Sequence, residues 1–195
     1  MDDKQRLRAR LKAQRKAHVE ALPKATKSLL FMRPPASVAA MVPEGAVVGL
    51  YAATAFEAPT TAYARWFHEN GRSLALPWFA ARGAEMQFRK WSDPYDPAAL
   101  VSAPYGARQP RDDAAQAIPD IVIVPLIGFT ATCDRLGQGG GHYDRWLSAH
   151  RAVVAIGLGW DCQLVDTLPL EPHDRRLAAI ITPTRLFASP GFQPG

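Results

Sequence analysis

Cysteine is nearly absent from this chain: of its 195 residues only Cys133 and Cys162 carry a thiol. Two positions so placed build no disulfide framework and no zinc-type ligand spacing, so a reducing, cytoplasmic setting is the expectation. Long apolar runs are missing too. None approaches the roughly 20 residues that a membrane-spanning helix needs, and the first residues are charged rather than patterned as a signal peptide, so no membrane partner is expected. Several phosphate and catalytic motifs are also lacking. There is no Gly-x-x-x-x-Gly-Lys-Ser/Thr loop, no Gly-x-Ser-x-Gly nucleophile elbow and no His-Glu-x-x-His helix. Those absences exclude the corresponding P-loop, serine-hydrolase and zinc-protease readings. No internal repeat is visible.

What is present is ordinary in amount and uneven in placement. Apolar residues at 48% and charged residues at 21% describe a globular chain long enough to bury a substantial core in one domain. Seventeen prolines predict many ordered loops. The net charge of +5 is modest, but basic residues crowd into positions 4–16. That asymmetry suits nucleic acid or a small anion such as a nucleotide or a polyglutamate tail. Aromatics do not interleave with the basic residues and sit instead at core spacing, so nucleic acid is not the expected partner.

In chain order, Asp2 and Asp3 suit a helix start, and no proline or glycine interrupts the strong helix formers up to His18. Leu7, Leu11 and His18 mark a narrow apolar stripe. Lys4, Arg8, Lys12 and Arg15 recur every three or four residues and make one face basic. They read either as a solvated face or as a set of which one or two reach a phosphate. Helical segments are predicted over 24–32, 37–41 and 60–69, the last ended by Asn70-Gly71. Buried strands are predicted over 46–51, 120–124 and 152–158, with shorter ones over 73–76, ending at Pro77, and 178–181. Residues 86–91 alternate as an antiparallel edge strand. Residues 92–119 form a long connection, either functional or packed over the core. A helical turn is expected over 163–166. Strands alternating with helices predict an open, mostly parallel α/β sheet with helices on both faces. Ligands bind such sheets beyond the carboxyl ends of the strands, where Glu57 and the segment after residue 124 both fall.

One stretch organises the rest: Arg135-Leu136-Gly137-Gln138-Gly139-Gly140-Gly141-His142-Tyr143-Asp144-Arg145. Four glycines in five positions, followed by a helix over 143–150, form a backbone turn whose N–H groups and helix dipole can cradle an anion. The same pattern also serves as a tight turn packing a helix on a sheet. Arg135 and Asp144 on its flanks favour a ligand, the guanidinium for polyphosphate and the carboxylate for Mg²⁺. Asp174, in Glu171-Pro172-His173-Asp174-Arg175-Arg176, is either part of a solvated loop or a second metal carboxylate. Tyr143 reads as stacking on or closing the pocket. Trp146 and Leu147 read as core, and Cys133 as incidental.

The segment Pro125-Leu126-Ile127-Gly128-Phe129, a five-residue spacer and then 135–145 resemble the signature of the 5-formyltetrahydrofolate cyclo-ligases, also called 5,10-methenyltetrahydrofolate synthetases. The resemblance extends to Lys4, Leu7 and Arg8, to Glu57, to Gly157-Leu158-Gly159-Trp160-Asp161 with Gln163-Leu164-Val165, and to Pro169, His173-Asp174 and Ile181-Thr182-Pro183. It implies a three-layer α/β/α fold with a mostly parallel central sheet. One domain would span 1–187, with the basic helix 1–20 packed on it and 188–195 a loosely attached tail. It also implies an ATP- and Mg²⁺-dependent ligase acting on a reduced folate, as a monomer or weak homodimer. By matching positions, Lys4, Arg8, Arg135, Leu136, Gly137, Gln138, Gly139, Gly140, Gly141, His142 and Tyr143 would contact ATP. Arg135, Tyr143 and Asp144 would serve catalysis, and Asp144 and Asp174 would hold Mg²⁺. Glu57 with Gln138, Gly139, Gly140, Gly141 and His142 would bind the folate. Three positions depart from the family pattern: Gln138 for arginine, His142 for an aromatic such as tyrosine, and Thr130 for aspartate. A divergent paralogue, a sugar-phosphate or CoA-handling α/β enzyme and a nucleic-acid module are the alternatives.

Overall fold

The computed structural model describes residues 3–171 and 174–192. Asp2 of the expected helix start, Pro172 and His173 of the expected late loop, and residues 193–195 of the expected tail lie outside them. The elements run α1 (Asp3–Ala21), α2 (Lys24–Leu29), α3 (Ala36–Ala40), β1 (Val47–Gly49), α4 (Thr61–Glu69), β2 (Ser73–Trp78) and β3 (Gln87–Trp91). They continue with β4 (Leu100–Ser102), β5 (Arg108–Pro110), β6 (Ile121–Pro125), β7 (Gly128–Phe129), β8 (Arg135–Leu136), α5 (His142–Ala149), β9 (Val154–Leu158), β10 (Ala179–Ile181) and β11 (Leu186–Ala188). Among the described residues no helix is long and apolar enough to cross a membrane.

Seven strands form the main sheet in the order β11-β10-β9-β6-β1-β2-β3. The inner neighbours are parallel, and β3 and β11 close the two edges antiparallel. Central β6 is buried along its whole length, and its side chains alternate between faces as the pleat requires. Ile121 and Ile123 join Val19 of α1, Val38 of α3, and Tyr63 and Phe67 of α4 on one face. Val122 and Val124 join Trp146 and Leu147 of α5 on the other. The expected three-layer α/β/α arrangement with a mostly parallel sheet is therefore what the chain forms.

From β1 the chain moves outward to β2 and β3, then returns through β6 to β9 and β10 on the other side. The carboxyl ends of β1 and β6 thus flank the point where the strand order reverses, and a crevice opens there. Close packing beside it depends on Gly157 in β9. A Cβ at that position would lie 2.8 Å from side-chain atoms of Leu126 and Leu177 and 3.0 Å from Ile180. Gly157→Ala is expected to cost about 1–3 kcal/mol through overpacking, read as a lower urea midpoint at unchanged slope.

The structure differs from the sequence reading at specific points. β2 runs through Pro77 instead of stopping there. Its pairing with β1 ends at Ala75, so Pro77 lies where no parallel neighbour needs its missing N–H. Residues 92–119 are not structureless: they contain the β4–β5 hairpin. The link before the glycine loop folds into the β7–β8 hairpin, so β8, and not β6, leads directly into the glycines. The late helical turn comes earlier than expected, at Asp161–Gln163. Buried Gln163 donates from Nε2 to the carbonyls of Leu126 (2.8 Å) and Ile127 (2.9 Å), fixing the exit of β6. Within the expected tail, Ala188 belongs to β11 and Phe192 packs against the first core face.

Candidate functional site

The glycine loop begins where Leu136 is pinned. Its carbonyl accepts the Ile127 N–H at 2.8 Å, and its side chain packs with Leu11 and Ile127. Gly139 and Gly141 then adopt positive φ of 105° and 64°, conformations that side-chain-bearing residues resist. Gly141 caps α5 and brings no side-chain acceptor, so the first N–H groups of that helix have no side-chain cap. The loop and the first residues of α5 line a cavity of about 720 Å³.

Several charged residues around it are held by specific partners. Arg135, buried to 7% exposure, donates through Nη2 to Asp144 Oδ1 and through Nη1 to the Pro125 carbonyl at 3.3 Å. From α1, Lys4 Nζ reaches Asp174 Oδ2 at 2.9 Å and Glu171 Oε2 at 3.3 Å. Arg8 Nε donates to the Gly137 carbonyl at 3.1 Å, tying the helix to the loop. From the segment after β1, Glu57 Oε2 accepts Thr54 N (2.8 Å) and Thr54 Oγ1 (2.9 Å), while Oε1 accepts Gln138 Nε2 at 2.9 Å.

Polar groups on residues that line this cavity stand out by what they lack. The Tyr143 hydroxyl is buried with no hydrogen-bond partner, as is Arg135 Nε. Burial, then the nearby Glu57 carboxylate, raises the Tyr143 phenol well above its ordinary value, so it stays a neutral donor. A buried donor without an acceptor is costly, and an acceptor on a ligand is one way to satisfy it.

His142 packs edge-on against Phe79 (ring centroids 4.9 Å apart) and at a tilt against Tyr105 at the β4–β5 hairpin (5.0 Å). Its Nδ1 lies 3.2 Å from Arg145 Nη2. Since arginine can only donate, Nδ1 is the acceptor and the ring is neutral. Burial, then Arg145, lowers its pKa from 6.5. A depressed histidine contributes stability that is whole above the unfolded value and is lost as pH falls through the folded one. Wild-type protein is therefore expected to lose more melting temperature between about pH 7.5 and 5.5 than His142→Phe does, measured by thermal unfolding.

Every site residue expected from the sequence except Leu136 lines this one cavity: Lys4, Arg8, Glu57, Arg135, the glycine loop through His142, Tyr143, Asp144 and Asp174. Leu136 turns its side chain into the core. The solvated-face reading of the basic helix fails at Lys4 and Arg15, which are buried. The apolar stripe is also shifted, with Leu11 and Val19 fully buried, while Leu7 and His18 are only partly so. Sequence reasoning missed Tyr51, Phe79, Met86, Tyr105 and Arg108, which complete the lining. The Tyr105-Gly106 turn between two short extended runs was the available signal for the hairpin. The three departures each have a local role. Gln138 holds Glu57 and His142 holds the ring cluster. Thr130 donates to Asp134 Oδ2 at 3.1 Å, beside the Arg176–Asp134 pair at 2.8 Å. Burial, then the Asp134 charge, pushes the Cys133 thiol up to about 11, so it is no nucleophile at neutral pH.

Among the described residues no cluster of three or more His, Cys, Asp and Glu side chains could hold a metal. Asp144 and Asp174 both lie on the cavity wall, and carboxylates are the donor chemistry that a hard cation taking one or two protein ligands calls for.

Fold and site together define a three-layer α/β protein with a glycine loop lining a cavity at the switch point of its sheet. The chain belongs to the 5-formyltetrahydrofolate cyclo-ligase family, whose model matches residues 1–183. It is 39% identical over 85 residues to the 5-formyltetrahydrofolate cyclo-ligase of Escherichia coli, 40% of this chain and 47% of that one. With the Mycolicibacterium smegmatis protein of the same name it shares 38% over 97 residues, 47% and 50% of the two chains. These alignments span about half the length of the relatives. The solved 5,10-methenyltetrahydrofolate synthetases of Aquifex aeolicus (TM-score 0.62, 22% identity, 95% and 92% covered) and Mycoplasma pneumoniae (0.63, 23%, 92% and 98%) have the same fold.

Proposed function

We propose that the protein cyclises 5-formyltetrahydrofolate to 5,10-methenyltetrahydrofolate, using ATP with Mg²⁺ and releasing ADP and phosphate. The observation that carries this reading is the convergence in one cavity of the glycine loop, the Arg135–Asp144 pair, the Lys4 clasp and Glu57. These are groups for polyphosphate and for a polar heterocycle, with no nucleophile dyad among them.

The chemistry needs no protein nucleophile. The N5 formamide is a poor electrophile because its nitrogen lone pair is delocalised into the carbonyl. The formyl oxygen attacks the γ-phosphorus of ATP, the bond from that phosphorus to the β,γ-bridging oxygen breaks, and ADP leaves. N10 then attacks the activated carbon and loses its proton, and the C–O bond breaks to release phosphate, leaving the methenyl bridge. The chain's task is to align the two substrates and match the charge on the phosphoryl group. The loop N–H groups, Lys4 and Arg8 bind the polyphosphate, and Arg135 holds Asp144 in place. Glu57, steadied by Thr54 and Gln138, accepts hydrogen bonds from the folate, and Tyr143 donates into the cavity. Asp144 and Asp174 would hold Mg²⁺, which supplies charge neutralisation at the phosphate oxygens.

The route is tested by labelling the formyl oxygen with heavy oxygen. Transfer of the label into orthophosphate is expected, and orthophosphate without label contradicts phosphorylation of the formyl group.

A further inference from the structure

Arg15 is a charged side chain whose burial nothing above explains. It is 7% exposed, lines the cavity, and has no acidic partner among the described residues. Its contact with protein is one long hydrogen bond, Nη1 to the Leu126 carbonyl at 3.4 Å, on an oxygen that Gln163 already engages at 2.8 Å. Its Nε is buried with no partner at all. An arginine cannot shed its proton to relieve this, and an isolated buried cation is strongly disfavoured. The other arginines placed at the loop are engaged: Arg135 with Asp144 and Arg8 with the Gly137 carbonyl.

Arg15 also stands apart from them. It follows Arg8 by two helical turns, about 10 Å along α1 at the usual rise. Arg8 meets the glycine loop, whereas Arg15 reaches the exit of β6 at Leu126, with Tyr51 beyond the end of β1 on the same cavity wall. Lys12, one turn earlier on the same face of α1, lines the same cavity and adds a second positive charge.

We infer that Arg15, with Lys12, forms a second oxyanion subsite at the α1–β6 end of the cavity, separate from the glycine-loop cradle. A guanidinium with a free Nε–H and an underused Nη suits the two-point geometry of a phosphate or a carboxylate. Within the folate reading that anion is either the phosphoryl group once it has left the nucleotide or a glutamate carboxylate of the folate. The subsite itself does not depend on that reading; the choice between the two sources does.

The test uses the full chain at constant ionic strength, with calorimetric titration of wild type, Arg15→Gln and Arg8→Gln. Two probe sets are used: inorganic phosphate, and 5-formyltetrahydrofolate beside its analogue lacking the glutamate. If the anion is phosphoryl, Arg15→Gln weakens inorganic phosphate about tenfold, the loss of a charge-assisted fork, while Arg8→Gln keeps that site. If it is the carboxylate, Arg15→Gln weakens the folate about tenfold and leaves the analogue lacking the glutamate unchanged. Unchanged affinity for both probes overturns the subsite. Should the glutamine variant fail to fold, Arg15→Lys carries the same titrations, with a loss of about fivefold expected in one arm and unchanged affinity in both overturning the proposal. No arm relies on turnover, so a chain that does not cyclise folate still reports on the subsite through phosphate.

Discussion

Asp144→Asn is expected to lower ATP-dependent turnover by about 10²–10³-fold, the scale seen when a single transition-state electrostatic contact is removed. The carboxylate has two tasks in this account. It faces the cavity as a candidate metal ligand, and it neutralises Arg135, whose side chain is only 4% exposed. The second task adds a consequence that the sequence alone did not announce, since from sequence the substitution looks almost neutral for folding. Asparagine leaves a buried guanidinium without its counter-charge, and breaking one half of such a pair costs about 3–5 kcal/mol. Activity must therefore be measured well below the lowered melting temperature, with folding checked by circular dichroism. Near-wild-type turnover in the folded variant contradicts the role given to Asp144.

Lys4→Ala is expected to raise the KM for ATP by about tenfold, equivalent to ~1.4 kcal/mol, with a smaller change in kcat. The ammonium lies between Asp174 and Glu171 on the cavity wall, where it can approach a phosphate while holding the late loop against α1. Lys4→Arg keeps the charge but changes its shape, and is expected to restore part of the lost affinity. An ATP dependence identical to wild type in Lys4→Ala reduces Lys4 to a clasp for that loop.

The parts of this molecule legible in the sequence were those set by local pattern. The apolar runs around Val48, Val122 and Ile156 announced inner parallel strands, because a strand covered on both faces needs no polar alternation. The glycine loop, flanked by Arg135 and Asp144, pointed to the cavity it lines, although the same pattern also serves as a tight turn packing a helix on a sheet. What stayed hidden was set by long-range contact. Pro77 looked like a strand end until the early termination of β1 made its missing N–H harmless. Tyr105 and Phe79 became site residues only when the β4–β5 hairpin brought Tyr105 to Phe79 and His142. The burial of Lys4 and Arg15 stayed open because helical spacing says which face they share but not what that face meets. The family resemblance implied nucleotide and folate positions, and Arg15 was not among them.

The central claim is that this cavity brings a nucleotide and a reduced folate together. The most direct measurement is the near-ultraviolet absorbance of 5,10-methenyltetrahydrofolate when purified protein meets 5-formyltetrahydrofolate with and without Mg-ATP. The account predicts a rise that needs ATP and the divalent cation and is matched by release of one phosphate per methenyl bridge formed. No rise with both present, or an equal rise without ATP, contradicts it.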